Sequence, residues 1–241
     1  MIDKLQAHAL EHERTLSPQL LFQTPTCQQE FAFLETLSTW MPFLKRQNYE
    51  VVLPANPELL IFFQNGQKLP DNDKLRTLFE KEYSASFYQA GIKNLEAQRQ
   101  AIYSIFPTLI DFHNRWNFQV FPEYSIQLTR FGPGGFCDAE SAIIQLMTRE
   151  DGTFKRPHPG HTVIHEIVHI GVEKNIVRRF DLTHAEKEGL VDRICLLSFP
   201  KVLLGYKVQD NADRNIFNYI TSESMLKLPE AVEQFKANQQ R

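Results

Sequence analysis

The sequence predicts an α+β fold, in which a mainly helical N-terminal lobe precedes a small, mostly antiparallel sheet and two further helices. In the first half of the chain, apolar residues recur at helical spacing along 26–47 and 73–115. In the second half, 118–130 and 142–148 alternate or run apolar at strand length. This change of pattern indicates where the helical lobe ends and the mixed part begins.

The chain is predicted to divide into a helical region at 1–116, to which the sequence assigns no role, and a mixed region at 117–241. With 241 residues, it is also short enough for both regions to form one compact domain. Two helices are expected in the mixed region, at roughly 161–177 and 184–198.

Several shorter elements are expected around these helices. A short polar helix is expected within 1–24, and the β-rich runs at 49–53 and 59–63 predict two short strands. Asn65-Gly66 is typical of a tight turn. The tail from 200 to 241 is expected to be helical and polar at its end.

The composition is that of an ordinary soluble globular protein, with 42% hydrophobic and 23% charged residues. A net charge of -3 favours neither a nucleic-acid nor a membrane partner. The N-terminal stretch lacks the apolar segment of a signal peptide, and the three cysteines form no C-x-x-C pair. We therefore expect a cytoplasmic protein with free thiols, while export by a route without such a signal and the oligomeric state stay open.

The strongest chemical signal is the motif H-E-x-x-H at His165, Glu166 and His169. Two histidines four residues apart lie on the same face of a helix, so both imidazoles can reach one metal ion. The glutamate projects beside the metal, where it can deprotonate a bound water. The segment around the motif is apolar nearly all round, which indicates a buried helix where unengaged polar side chains would be costly.

A catalytic zinc ion usually takes three protein ligands and leaves its fourth position to water. The extended motif H-E-x-x-H-x-x-G-x-x-H does not supply the third ligand here, because Val172 stands in place of its glycine and Asn175 in place of its histidine. The better candidate is Glu188 on the following helix, which is predicted to begin with a capping box at Thr183 and Glu186.

Asp192 lies one helical turn after Glu188, on the same face of the same helix. It is predicted to accept the Nδ1–H of a metal-bound histidine and so to fix the orientation of that ring. The alternative is that both carboxylates belong to a solvated, salt-bridged helix face. The preceding H-E-x-x-H motif favours Glu188 as a ligand.

The combination of H-E-x-x-H with a later E-x-x-x-D resembles the gluzincin group of zinc metallopeptidases, the thermolysin-like branch. The resemblance covers only about 140–197, and the matching residues are His165, Glu166, His169, Glu188 and Asp192. It implies a zincin-like catalytic part that binds one Zn²⁺ per chain through the two histidines and Glu188. In such enzymes the motif glutamate is the general base, and a polypeptide is the substrate.

The resemblance also implies a donor that stabilises the oxyanion and an edge strand that pairs with the substrate. Candidate donors are Tyr206, our first choice, with Tyr219, Arg214 and His184 as alternatives. The stretch 142–148 occupies the place of the edge strand, where main-chain hydrogen bonds would hold a peptide; the alternative is an ordinary core strand.

Other residues with possible chemistry are expected to be bystanders. His158 and His161 precede the motif in a Pro/Gly-rich stretch and are interpreted as polar loop residues rather than extra ligands. Cys137 is interpreted as a bystander thiol rather than a nucleophile, and Cys195 as a core residue.

Two alternatives to a zinc metallopeptidase keep the same metal site. The first is a non-catalytic regulatory or interaction protein that zinc stabilises, although such a protein does not need a general base at Glu166. The second is a zinc hydrolase that acts on a non-peptide amide.

Overall fold

The computed structural model describes residues 18–239, so most of the short helix expected within 1–24 lies outside the described residues. The α+β class is confirmed. The strands are β1 (Gln19–Gln23), β2 (Glu123–Thr129), β3 (Gly135–Asp138) and β4 (Ile143–Met147). The helices are α1 (Cys27–Arg46), α2 (Pro57–Gln64), α3 (Asp73–Glu80), α4 (Gln89–Glu96), α5 (Arg99–Tyr103), α6 (Phe106–Trp116), α7 (Pro159–Val172), α8 (His184–Ser198) and α9 (Leu228–Gln239).

The four strands form one sheet in the order β1-β2-β4-β3. β1 and β4 both pair with β2 in parallel, and only β3 and β4 are antiparallel. The prediction of a mostly antiparallel sheet is therefore wrong. Helices α1–α6 all lie between β1 and β2 in the chain, and such a long crossover allows two strands to run in parallel.

The prediction that 142–148 forms an edge strand is also wrong. β4 lies between β2 and β3, and hydrogen bonds occupy both of its edges. The edge position belongs to β3, which comes from a glycine-rich stretch that the sequence pattern had indicated as a turn.

The first half of the chain is helical as expected, but several of its helices begin and end at other residues than the sequence predicted. Residues 59–63, predicted as a strand, belong to α2, because Asn56 caps this helix and Pro57 occupies its first turn. The single long helix expected over 73–115 is divided into α3 to α6. Pro107 lies in the first turn of α6, so it begins a helix instead of ending one.

Two hydrophobic clusters fill the part of the chain that the structure describes. The smaller one joins α1, α2 and α3 and includes Phe131, which follows β2. The larger one joins the sheet to α4–α9 and therefore contains most of the apolar residues of 88–116. The division of the chain near residue 117 stays a prediction.

The buried carboxylate of Glu30 connects the helical lobe to the end of β2. Glu30 belongs to the first turn of α1 and is only 1% exposed. It accepts hydrogen bonds from the backbone N–H of Arg130 at 2.8 Å and from the hydroxyl of Thr129 at 3.1 Å. Burial outweighs these bonds and raises the pKa of Glu30 to about 7.

We expect the Glu30→Gln substitution to change how stability depends on pH. Between the unfolded pKa, about 4.5, and the folded value, about 7, the native state holds a proton that the unfolded state has lost. The contribution of Glu30 to stability is therefore full below this window and lost as the pH rises through it, at a cost of roughly 3 kcal/mol. Urea unfolding should be measured at pH 5 and pH 8. The free energy of unfolding of the variant, relative to that of wild type, should be higher at pH 8 than at pH 5. Glu123→Gln is the control, because Glu123 is exposed. The same pH-dependent change in its free energy of unfolding would contradict this expectation.

Candidate metal centre

Helix α7 carries the H-E-x-x-H motif through the centre of the protein. Pro159 occupies its first turn, and no further proline interrupts the largely apolar sequence that follows. His165 and His169 are each 4% exposed, and Glu166 is 8% exposed. The motif therefore lies on a buried helix, as its apolar neighbours indicate.

Helix α8 begins where the sequence predicted. Thr183 caps it, and both reciprocal bonds of a capping box with Glu186 are present. Starting the helix at this point places Glu188 and Asp192 on its buried side, where they are 4% and 0% exposed. Gly189 lets the neighbouring segment come close, since a Cβ there would lie 2.2 Å from the carbonyl oxygen of Asp213.

The two helices bring three ligand atoms together. The Nε2 atoms of His165 and His169 are 2.9 Å apart, and Glu188 Oε2 lies 3.4 Å and 3.2 Å from them. This buried group of two imidazoles and one carboxylate could bind a metal ion. Burial disfavours a charged Glu188, but the two histidines outweigh it and lower the pKa of Glu188, so the carboxylate is in the ionised form that binds metals.

Glu166 lies beside this group, against the edge strand β3. A Cβ on Gly135 would lie 2.7 Å from Glu166 Oε1 and 2.6 Å from Cγ2 of Thr162. Glycine therefore leaves room for the Glu166 carboxylate and the Thr162 methyl group in their present positions. The carboxylate lines the same cavity as the three potential ligands.

Asp192 reaches His165 through the hydroxyl of Tyr206 and not directly, as had been predicted. Its Oδ1 is 3.5 Å from His165 Nδ1, whereas Tyr206 Oη lies 2.5 Å from each of these two atoms. The tyrosine hydroxyl donates to Asp192 and accepts from the Nδ1–H of His165. This arrangement assigns the proton to Nδ1 and leaves Nε2 free to bind a metal.

The position of Tyr206 does not support its predicted role as the oxyanion donor. Its hydroxyl is engaged on the Nδ1 side of the His165 ring, away from Nε2, and Tyr206 does not line the cavity. Among the alternatives, only His184 lines the cavity. Arg214 is exposed, and Tyr219 packs against Phe235.

We expect Tyr206→Phe to weaken metal binding by about 10–100-fold, because the ring of His165 loses its orienting partner. Titration with Zn²⁺ against a competing chelator would measure the affinity. Tyr219→Phe is the matched control, since it removes a hydroxyl whose hydrogen bond, to Asn238, lies away from the cavity. Equal affinities for the two variants would show that Tyr206 does not support the metal site.

The residues expected to be bystanders take no part in the potential ligand group. Neither His158 nor His161 belongs to it, although His161 lies within α7 and not in a loop. Burial and the nearby Glu166 raise the pKa of the Cys137 thiol well above its usual value, which disfavours a thiolate nucleophile. Cys195 is fully buried in the larger core.

The helical lobe supplies a wall of the cavity, a contribution that no sequence pattern had indicated. The cavity has a volume of about 860 Å³, and Trp40 and Phe43 of α1 line it together with the metal-binding group. Tyr49, just after α1, lies with its hydroxyl 3.1 Å from Nε2 of His184. Burial, with Glu188 nearby, raises the pKa of Tyr49 to about 12, so its hydroxyl stays protonated. The cavity is therefore built from both halves of the chain.

Among the described residues, no helix has the length and apolar character needed to cross a membrane. Comparison with known protein families, with curated proteins and with solved structures finds no match to this chain. The function proposed below therefore depends on the geometry and chemistry of the site itself.

Proposed function

We propose that this protein is a zinc-dependent metallopeptidase that hydrolyses peptide bonds with an activated water and with Glu166 as the general base. The observation that carries the proposal is the buried group of His165, His169 and Glu188, with Glu166 beside it in a large cavity. A buried site that only stabilised the fold would need no further carboxylate facing the same space.

The donor set supports zinc as the metal. Two imidazoles and one carboxylate are typical of a catalytic zinc site, whereas Mg²⁺ and Ca²⁺ prefer oxygen ligands. Four donors around a tetrahedral ion with bonds of about 2.0–2.1 Å lie roughly 3.3 Å apart. The three separations in this group, 2.9, 3.2 and 3.4 Å, agree with such a site with one position left for water.

Each side chain of the site has its own role in the proposed hydrolysis. Zinc bound here would lower the pKa of a water toward 7 and polarise the scissile carbonyl. Glu166 accepts a proton from this water as the water oxygen bonds to the carbonyl carbon. When the C–N bond breaks, Glu166 returns the proton to the departing amine nitrogen. Tyr206 and Asp192 hold the His165 ring throughout.

The edge strand β3 supports a polypeptide substrate. It pairs with β4 on one side, and Gly134 to Cys137 line the cavity. An extended peptide could add to the other side of this strand through main-chain hydrogen bonds, which accept many side-chain types. Phe43 and Phe136 offer apolar surface within the same cavity.

Two measurements test the proposal. Metal analysis of the purified protein should find about one zinc per chain, and a protein unable to take up zinc would rule the proposal out. Digestion of an unbiased proteome-derived peptide mixture, followed by mapping of the new termini, should then show cleavage by wild type and none by Glu166→Gln. A zinc-loaded wild type that cleaves no peptide would instead favour a regulatory protein or a hydrolase of other amides.

A further inference from the structure

Gln209 lies in the loop after α8 and extends its side-chain amide into the metal-binding group. Its backbone N–H donates to Asp192 Oδ2 at 2.7 Å, which ties this part of the loop to α8. Its side-chain Nε2 lies 3.5 Å from Nε2 of His165, the atom that faces the other potential ligands. No sequence motif drew attention to this residue, because it follows the two helices and belongs to no regular element.

Arg156 fixes which way the Gln209 amide faces. The guanidinium donates from Nη2 to Gln209 Oε1 at 2.8 Å, so the amide oxygen is held away from the ligand atoms. Arg156 also donates from Nη1 to the carbonyl oxygen of Lys207 at 3.2 Å, which anchors the same loop a second time. Because Arg156 can only donate, a flipped amide would lose this bond, and the NH₂ group must face the cavity.

The NH₂ group of Gln209 is a donor that needs an acceptor within the site. When His165 shares the lone pair of Nε2 with a metal, this atom can no longer accept from Gln209. Gln209 is partly buried beside this group, and an oxygen at the open ligand position would give its NH₂ group an acceptor. An amide nitrogen has no available lone pair, so it does not compete for the metal itself.

We propose that Gln209 is a catalytic residue of the proposed peptidase reaction, whose side-chain N–H stabilises the carbonyl oxygen as it acquires negative charge. Arg156 is then a positioning residue that acts through Gln209. This inference rests on the proposed function and names the donor that Tyr206 does not provide. Such a donor contributes most when it is oriented before the reaction begins, and the two hydrogen bonds of Arg156 provide that orientation.

Two other donors that line the cavity, His184 and Arg156, are engaged elsewhere. Nε2 of His184 contacts the hydroxyl of Tyr49 at 3.1 Å and the side-chain amide of Asn211 at 3.2 Å. The guanidinium of Arg156 is held by the loop that it anchors. The side-chain N–H of Gln209, 3.5 Å from His165 Nε2, is therefore the amide donor that faces the metal-binding group.

The test compares Gln209→Ala and Gln209→Glu with wild type on a peptide that wild type cleaves. We expect kcat to fall by about 10²–10³-fold, with KM changed little and one zinc retained per chain. A phosphonamidate peptide, whose tetrahedral anionic oxygen mimics the reacting carbonyl, should lose affinity by a similar factor in titration calorimetry. The cleaved product peptide should bind as it does to wild type. Gln67→Ala, on the exposed surface of the helical lobe, is the control and should change none of these values.

Arg156 is tested in a double-mutant cycle with the same phosphonamidate peptide. Arg156→Gln should weaken its binding, and combination with Gln209→Ala should weaken it no further, because both changes remove one oriented donor. Wild-type affinity and kcat in Gln209→Ala and in Gln209→Glu would overturn the inference while leaving the proposed function intact. A zinc-loaded wild type that neither cleaves peptides nor binds the phosphonamidate would overturn both.

Discussion

Replacement of Glu166 by glutamine is expected to lower kcat by about 10²–10⁴-fold and to leave zinc binding unchanged. The amide has the shape of the carboxylate and fits the same space beside Gly135, but it cannot accept a proton from the attacking water. Because Glu166 is not one of the three potential ligands, the metal should stay in place. Initial rates on a mapped peptide, together with zinc content, measure the two effects separately.

The control for this substitution is Glu140→Gln, which removes an exposed carboxylate that pairs with Arg178 and does not line the cavity. It should cleave as wild type does. Equal rates for wild type and Glu166→Gln would show that the general base has been assigned to the wrong residue. Loss of zinc from Glu166→Gln would instead place Glu166 among the ligands.

Replacement of Glu188 by glutamine is expected to weaken zinc binding by more than about 100-fold and so to abolish cleavage at ordinary metal concentrations. The carboxylate supplies the negative charge in a buried group whose other two ligand atoms are imidazole nitrogens, which carry no charge when they bind a metal. Glutamine keeps the size of the side chain but removes this charge, while leaving α8 and its capping box intact.

Zinc-linked stability provides a readout of Glu188 that does not depend on catalysis. A metal that binds only the folded protein raises its Tm, so zinc should raise the Tm of wild type and hardly change that of Glu188→Gln. Glu173→Gln, which alters a partly exposed carboxylate paired with Arg178, should respond as wild type does. An unchanged zinc response in Glu188→Gln would remove this residue from the metal site.

The sequence predicted those parts of the site that depend on local structure. His165 and His169 share a helix face because they are four residues apart, and the capping box at Thr183 determines where α8 begins. From that start, the period of the helix alone places Glu188 and Asp192 on one side. Short-range rules were therefore sufficient to name the three potential ligands before any fold was known.

Contacts between distant parts of the chain could not be predicted in the same way. Tyr206 lies between Asp192 and His165 because of how the loop after α8 folds back, and no spacing in the sequence encodes that path. The parallel pairing of β1 with β2 depends on residues about a hundred positions apart. The cavity wall formed by α1 could not be predicted either, because its aromatic residues have the spacing of ordinary core residues in the sequence.

The contact between Gly135 and Glu166 has a consequence for how this protein can vary. The sheet edge and the carboxylate share a volume that has no room for even one methyl group at position 135. A Cβ at position 135 therefore requires both the methyl group of Thr162 and the carboxylate of Glu166 to move, so positions 135, 162 and 166 are coupled. A related chain with alanine at position 135 would be expected to have a smaller residue at position 162 and a displaced or shorter side chain at position 166, and so a different reach toward the metal.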